Sequence, residues 1–364
     1  MRCVMSTESL QVLVINPGST STRVGIFSTQ GAELVGTIRH RDDELAGFDG
    51  KPVLDQLDFR ATAIRDALQE AGKTDEPYDA VVGRGGLLPP TVCGTYRVDD
   101  TMIELLQRAQ HGEHASNLGA VLANLFAQSR GVPAYIVDPV TVDEWPQIAR
   151  FSGTPHIERY ATGHALNIKA VARRFAKMQQ REYASLRLIV IHMGSGITVS
   201  AHEDGRMVDN NTPEEGPFGP DRTGSLPVRM LLRHALSGMY TATELDRQVF
   251  GAGGIYAYLG TRDLREVERR IDAGEERARE VFAAMAYQIA KEAGAMAAVL
   301  KGNVDAVLLT GGMAHSKRLT EELRDSLQWI APIHIFAGED ELQALADGAF
   351  RVLRGEELAR SIHA

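Results

Sequence analysis

Residues 10–15 alternate poorly and, Gln11 apart, are apolar and rich in β-branched side chains, as a strand buried on both faces should be. It leads into a polar stretch, Asn16-Pro17-Gly18-Ser19-Thr20-Ser21-Thr22. Residues 23–28 read as a second strand, Gln30-Gly31 as a tight turn and residues 33–39 as a third strand, which predicts an antiparallel meander. The same order returns later: an apolar run at 186–192, the turn Met193-Gly194-Ser195-Gly196, a strand at 197–202, Asp204-Gly205 and a strand at 206–209. A unit that occurs once in each half suggests a duplicated domain.

Helical periodicity is read at 59–71, 98–109, 117–128, about 163–177, 228–237, 275–300, 317–329 and 339–353, and short strands at 80–82, 134–137, 306–309 and 333–336. Hairpins interleaved with β-α units predict α/β with partly antiparallel sheets. At 364 residues the chain exceeds what one core usually supports, so two domains with a cleft between them are expected.

A net charge of −9 without a long basic run argues against nucleic acid or an anionic membrane as the main partner, so positive charge for an anionic substrate must be concentrated locally. Two cysteines, Cys3 and Cys93, make no disulfide framework and fit a reducing cytoplasm. Residues 1–9 lack the apolar stretch of a secretion signal. The apolar region 281–300 is interrupted by Gln288, Lys291 and Glu292, which predicts a buried helix and no membrane span.

Three turns rich in Gly, Ser and Thr follow apolar strands, at Asn16 to Thr22, Gly194 to Gly196 and Thr310 to Gly312. Such turns expose backbone N–H groups and admit phosphate oxygens closely. The chain has no GxxxxGK[ST] loop and no GxGxxG opening a helix, which argues against a P-loop or dinucleotide cradle. Arg84 and Arg222 both sit in Gly-rich loops, where a guanidinium fork can reach two anionic oxygens. Asp138 ends a buried strand, where open α/β sheets present site residues. His111-Gly112-Glu113-His114 has no further ligands at metal spacing, so His114 is read as a packed or substrate-side residue.

The segment INPGSTSTRVGIF from Ile15 resembles the first phosphate loop of the acetate and butyrate kinases. The resemblance continues through VVGRGGLLPP, GTYRV, HASNLGA, VDPVTVDE, ALNIKAVARR, EGPFGPDRTGSLP, LTGGMAHSKRL and GEDELQALADGAFRVLRG, and its wording is closer to the butyrate branch. It implies two duplicated actin-like, ribonuclease H-like domains with mixed sheets. The first would be 1–143 plus 342–364, and the second 144–341, on the nucleotide side. The implied reaction is in-line transfer of the ATP γ-phosphoryl to a short-chain carboxylate, giving butanoyl phosphate from butanoate. Acetate, propionate or branched-chain acids, or a non-catalytic nucleotide-binding protein of the same fold, are the alternatives.

Carried onto this chain, the resemblance makes Arg84, Arg222, His164 and Asp138 catalytic, with Arg84 and His114 on the substrate. Asn16, Gly18, Ser19, Thr20, Ser21, Arg23, His192, Gly194, Ser195, Gly196, Gly311 and Gly312 would bind ATP. Asn16 and Glu341 would hold Mg²⁺, Glu341 being preferred over Glu339 and Asp340. A homodimer or larger assembly is implied, with contacts through helices of the second domain. The chain departs from its relatives at Ser195, where acetate kinases carry Asn and the butyrate branch Gly, and at Arg23, where acetate kinases carry Lys.

Overall fold

The computed structural model describes residues 10–362. The expectations for residues 1–9, Cys3 included, and for 363–364 lie outside the described residues. The chain folds into two compact units, Met1–Val142 with Asp340–Ala364, and Asp143–Glu339.

In the first unit β1 (Gln11–Pro17), β2 (Ser21–Ser28) and β3 (Gly31–Arg39) form the meander, followed by α1 (Asp42–Leu45) and α2 (Leu57–Glu70). Then come β4 (Ala80–Arg84), β5 (Thr95–Arg97), α3 (Asp100–Arg108), α4 (Asn117–Gln128) and β6 (Ala134–Val137). The sheet order is β3-β2-β1-β4-β6-β5, with β1, β4 and β6 parallel. Strand β4 runs two residues beyond its predicted end, which brings Arg84 to its last position, level with Val137. Helix α3 begins where the Asp99 carboxylate accepts the Met102 N–H, two residues inside the predicted start.

The second unit opens with α5 (Ala165–Met178), then the meander β7 (Leu188–Met193), β8 (Ile197–Glu203) and β9 (Arg206–Asn210). Helices α6 (Val228–Ala235), α7 (Ala242–Val249), α8 (Gly254–Leu259), α9 (Leu264–Asp272) and α10 (Glu276–Val299) follow, then β10 (Ala306–Gly311), α11 (Lys317–Leu327) and β11 (Ile333–Ala337). Its sheet order, β11-β10-β7-β8-β9, repeats the first unit's pattern of a meander joined to parallel strands. The closing helix α12 (Glu341–Leu353) packs on β1 and β6 of the first unit; it starts two residues after the predicted position, with Asp340 as its cap. No helix among the described residues is long and apolar enough to cross a membrane, and the 281–300 stretch lies in α10 with Val281, Phe282, Met285 and Ile289 in the core. Helices α7, α8 and α9 were not read from the sequence: each is nine residues or shorter, too brief to impose its period.

Candidate active site

In the first unit the meander turn places Ser19 and Thr20 in solvent, while Asn16 is buried at the end of β1. The turn is closed by the Gly18 N–H donating to the Ser21 carbonyl at 2.7 Å. Behind it lies Arg60 of α2, fully buried. Its Nη1 donates to the Gly18 and Ser21 carbonyls and to Thr22 Oγ1, its Nη2 to the Ser19 carbonyl, and Gln56 Oε1 accepts from Nε and Nη2. Burial pushes the Arg60 pKa down to about 10, so the group remains charged at neutral pH. With the carbonyls turned back onto this cation and the Gly18 N–H closing the turn, the Ser19 and Thr20 N–H groups are left for a ligand. Sequence reasoning missed Arg60; its signal was the position, since Arg60, Ile64 and Leu68 share one buried stripe of α2.

Arg84 is gathered with the two proposed metal ligands. Asn16 Nδ2 donates to Glu341 Oε2 at 2.7 Å, and Arg84 Nη1 lies 3.4 Å from Glu341 Oε1, yet this buried nitrogen completes no hydrogen bond. The Arg84 backbone is pressed against α4: a Cβ on Gly83 would overlap the Gly119 carbonyl, and one on Gly119 the Arg84 carbonyl. Asp138, one residue beyond the end of β6, is fully buried with a left-handed φ of 38°. Its Oδ1 accepts the Gly94 N–H at 2.7 Å. A non-glycine residue held in that conformation marks stored backbone strain, which gathers at functional sites. His114 is exposed just ahead of α4, its Nδ1 2.9 Å from Ser116 Oγ. Arg23 is half-buried on β2, opposite Asn16.

In the second unit the groups converge on the turn after β7. His164, capping α5, and His192, near the end of β7, stack with ring centroids 3.9 Å apart and planes 12° from parallel. His164 Nδ1 is 2.9 Å from Thr198 Oγ1. A Cβ on Gly194 would come within 3.1 Å of His192 Nε2 and 2.9 Å of Glu339 Oε1, while one on Gly196 would overlap Arg222 Nη1 and reach 3.2 Å from His164 Cε1. Glycines here therefore make room for charged side chains, and Ser195 is exposed at the tip. The Arg222 guanidinium lies over the Phe250 ring, 4.0 Å from its centroid, and burial holds its pKa below the usual arginine value.

The third glycine pair divides in two. A Cβ on Gly311 (φ 90°) would overlap the Met193 backbone, so packing alone requires glycine there, whereas Gly312 is exposed with open space around it. Among the described residues no cluster of three or more His, Cys, Asp or Glu is arranged for a metal.

The model of the Acetokinase family matches residues 150–331. A protein of Caldanaerobacter subterraneus subsp. tengcongensis named "Probable butyrate kinase 2" is 48% identical over 348 residues, covering 95% of this chain and 98% of its own length. Among solved structures, the acetate kinase of Porphyromonas gingivalis superposes with a TM-score of 0.79 at 19% identity, over 94% of this chain and all of that one. A propionate kinase from Francisella tularensis gives 0.71 at 17% identity, over 93% and 98%. These structural likenesses establish the actin-like fold, and the near-full-length identity settles the family. The chain belongs to the acetokinase family.

Proposed function

We propose that the chain transfers the γ-phosphoryl group of ATP in line to the carboxylate of a short-chain fatty acid, with butanoate as acceptor and butanoyl phosphate and ADP as products. The observation that carries this reading is the 48% identity along 95% of the chain with the protein named probable butyrate kinase 2. A fatty-acid carboxylate, with a pKa of about 4–5 like that of Glu, is already ionised at neutral pH, so no general base is needed. The task is to bring two anions together, which positioned positive charge accomplishes.

Arg84, whose buried Nη1 completes no hydrogen bond, is assigned to the carboxylate, with His114 on the same side of the reaction. Arg222 and His164 are assigned to the phosphoryl group in transfer, and Asp138 to orienting the first unit's cationic groups. The exposed turn Gly18 to Ser21 with Arg23, the Gly194 to Gly196 turn with His192, and Gly311 with Gly312 are assigned to ATP. Asn16 and Glu341 offer one amide and one carboxylate, which suits Mg²⁺, an ion that keeps several waters and takes few protein ligands. When bound, Mg²⁺ would neutralise phosphate charge; without it the Asn16 amide orients the Glu341 carboxylate and Arg84 beside it balances the charge.

Self-association through α6 is part of the proposal. This helix buries none of its side chains, and Val228, Met230 and Leu232 are more than half exposed, beside a 470 Å³ hollow lined by Phe218, Leu226, Tyr258 and Val281. A cytoplasmic location follows from the proposed substrates.

The test is hydroxylamine trapping of acyl phosphate with ATP, Mg²⁺ and acids of two to six carbons. Hydroxamate peaking at four carbons is expected. A peak at acetate or propionate would transfer the assignment to that acid, and no hydroxamate with any acid would overturn the reaction. Arg222→Ala should still bind ATP while losing turnover by orders of magnitude.

A further inference from the structure

His192 is 1% exposed, and its two ring nitrogens face different surroundings. Nδ1 lies 2.9 Å from Asn167 Nδ2, an amide nitrogen that also donates to Thr310 Oγ1 at 3.1 Å. The Thr310 hydroxyl in turn donates to the Gly338 carbonyl at 3.2 Å. A carbonyl can only accept, so the direction of the whole chain is fixed. The Thr310 proton goes to Gly338, its oxygen takes one Asn167 N–H, and the other Asn167 N–H goes to His192 Nδ1. A ring nitrogen that accepts carries no proton, which leaves the ring's N–H on Nε2.

Nε2 is buried and completes no hydrogen bond within the protein: Glu339 Oε1 is 3.3 Å away but out of line. It faces the backbone of Gly194, where a Cβ would crowd it. The stack against His164 adds a second constraint, because two imidazolium rings at 3.9 Å would repel. Glu339 would favour a cationic ring and the Arg222 guanidinium at the same turn disfavours it.

We infer that Asn167 and Thr310 are positioning residues that hold His192 neutral with its proton on Nε2, aimed as a hydrogen-bond donor at an oxygen of the phosphate group bound at the Gly194–Gly196 turn. This rests on the kinase reading for the identity of the anion, but the tautomer does not. A neutral donor suits a group that must bind phosphate in both ATP and ADP, since it adds no charge that would retain the product.

The experiment uses the full chain labelled with ¹⁵N-histidine at neutral pH, the His192 signals being assigned by their loss in His192→Gln. Two-bond ¹⁵N–¹H correlations should show Nδ1 as an unprotonated acceptor and Nε2 as N–H. A protonated Nδ1 in the wild type overturns the inference. The near-isosteric Asn167→Asp replaces the donor with an acceptor and should move the ring proton from Nε2 to Nδ1, which removes the donor to the phosphate and lowers kcat roughly 10- to 100-fold, as loss of one hydrogen bond to a charged group does, with the KM for the acid little changed. Thr310→Val should follow it, while Thr310→Ser, which keeps the hydroxyl, should restore near-wild-type kcat; equal effects of the Thr310 pair would also overturn it. Were the wild type to form no acyl hydroxamate yet show the Nε2–H tautomer, the reaction assignment would fail while the tautomer lock held.

Discussion

Replacing Arg60 by Met keeps the side-chain length and removes the buried cation behind the first polar turn. Two opposed quantities set the outcome. Burial lowers its pKa from the usual arginine value to about 10, which corresponds to roughly 3 kcal/mol of desolvation held against the charged form, all of which the variant recovers. Against this stand six hydrogen bonds from the guanidinium, which at ~1.5 kcal/mol each for a charged donor amount to about 9 kcal/mol. The exposed Ser19 carbonyl and the Gln56 side chain can turn to water, which returns about half of that loss. A net destabilisation of ~1–2 kcal/mol remains. It should appear as a lower urea midpoint, with a raised KM for ATP as the turn's carbonyls swing forward among its N–H groups. Arg60→Lys, which keeps the charge but not the fork, should fall between. A variant with both midpoint and KM unchanged would show that the turn holds its shape without Arg60.

Gly196→Ala should push Arg222 off the turn and lower kcat by at least ~100-fold, as removal of one oriented charged donor does, while the melting temperature stays within a few degrees; wild-type turnover would refute the crowding. Lys169, fully buried, is paired with Glu144, so Lys169→Met should cost ~3–5 kcal/mol by stranding the carboxylate, and adding Glu144→Gln should recover much of it in urea unfolding. His202, buried between Tyr183 Oη and Ser200 Oγ, has its pKa held well below the ordinary histidine value by burial, then by Lys169 and Arg173. Its lowered folded pKa means that below about pH 6.5 the unfolded chain takes up a proton the folded one refuses. Stability is therefore lost as pH falls through the mildly acidic range, and His202→Gln should flatten that limb of the unfolding curve.

The alternation of apolar strands and small-residue turns made both meanders legible, because their strands β1, β7 and β8 are buried along nearly their whole length. The gathering of Asn16 with Glu341 was not legible from pattern, since 325 residues separate them and only resemblance joined the two. The reason for each glycine was equally hidden. Gly196 yields to a guanidinium and Gly311 to a neighbouring strand, a distinction set by through-space neighbours that no local spacing encodes. Arg60 and Asn167 escaped for another reason: each lies in a stretch read only as a helix, and nothing in the helical period singles out a polar residue on the buried face.

The interlock of Gly83 with Gly119 leaves no slack between the last residues of β4 and the first turn of α4. Backbone bears directly on backbone, with no side chain to act as a compliant spacer. The Arg84 main chain and the head of α4 must then travel as one rigid lever, so any movement of that arginine on ligand binding will also move the helix, and deuterium uptake along 117–120 will report on it.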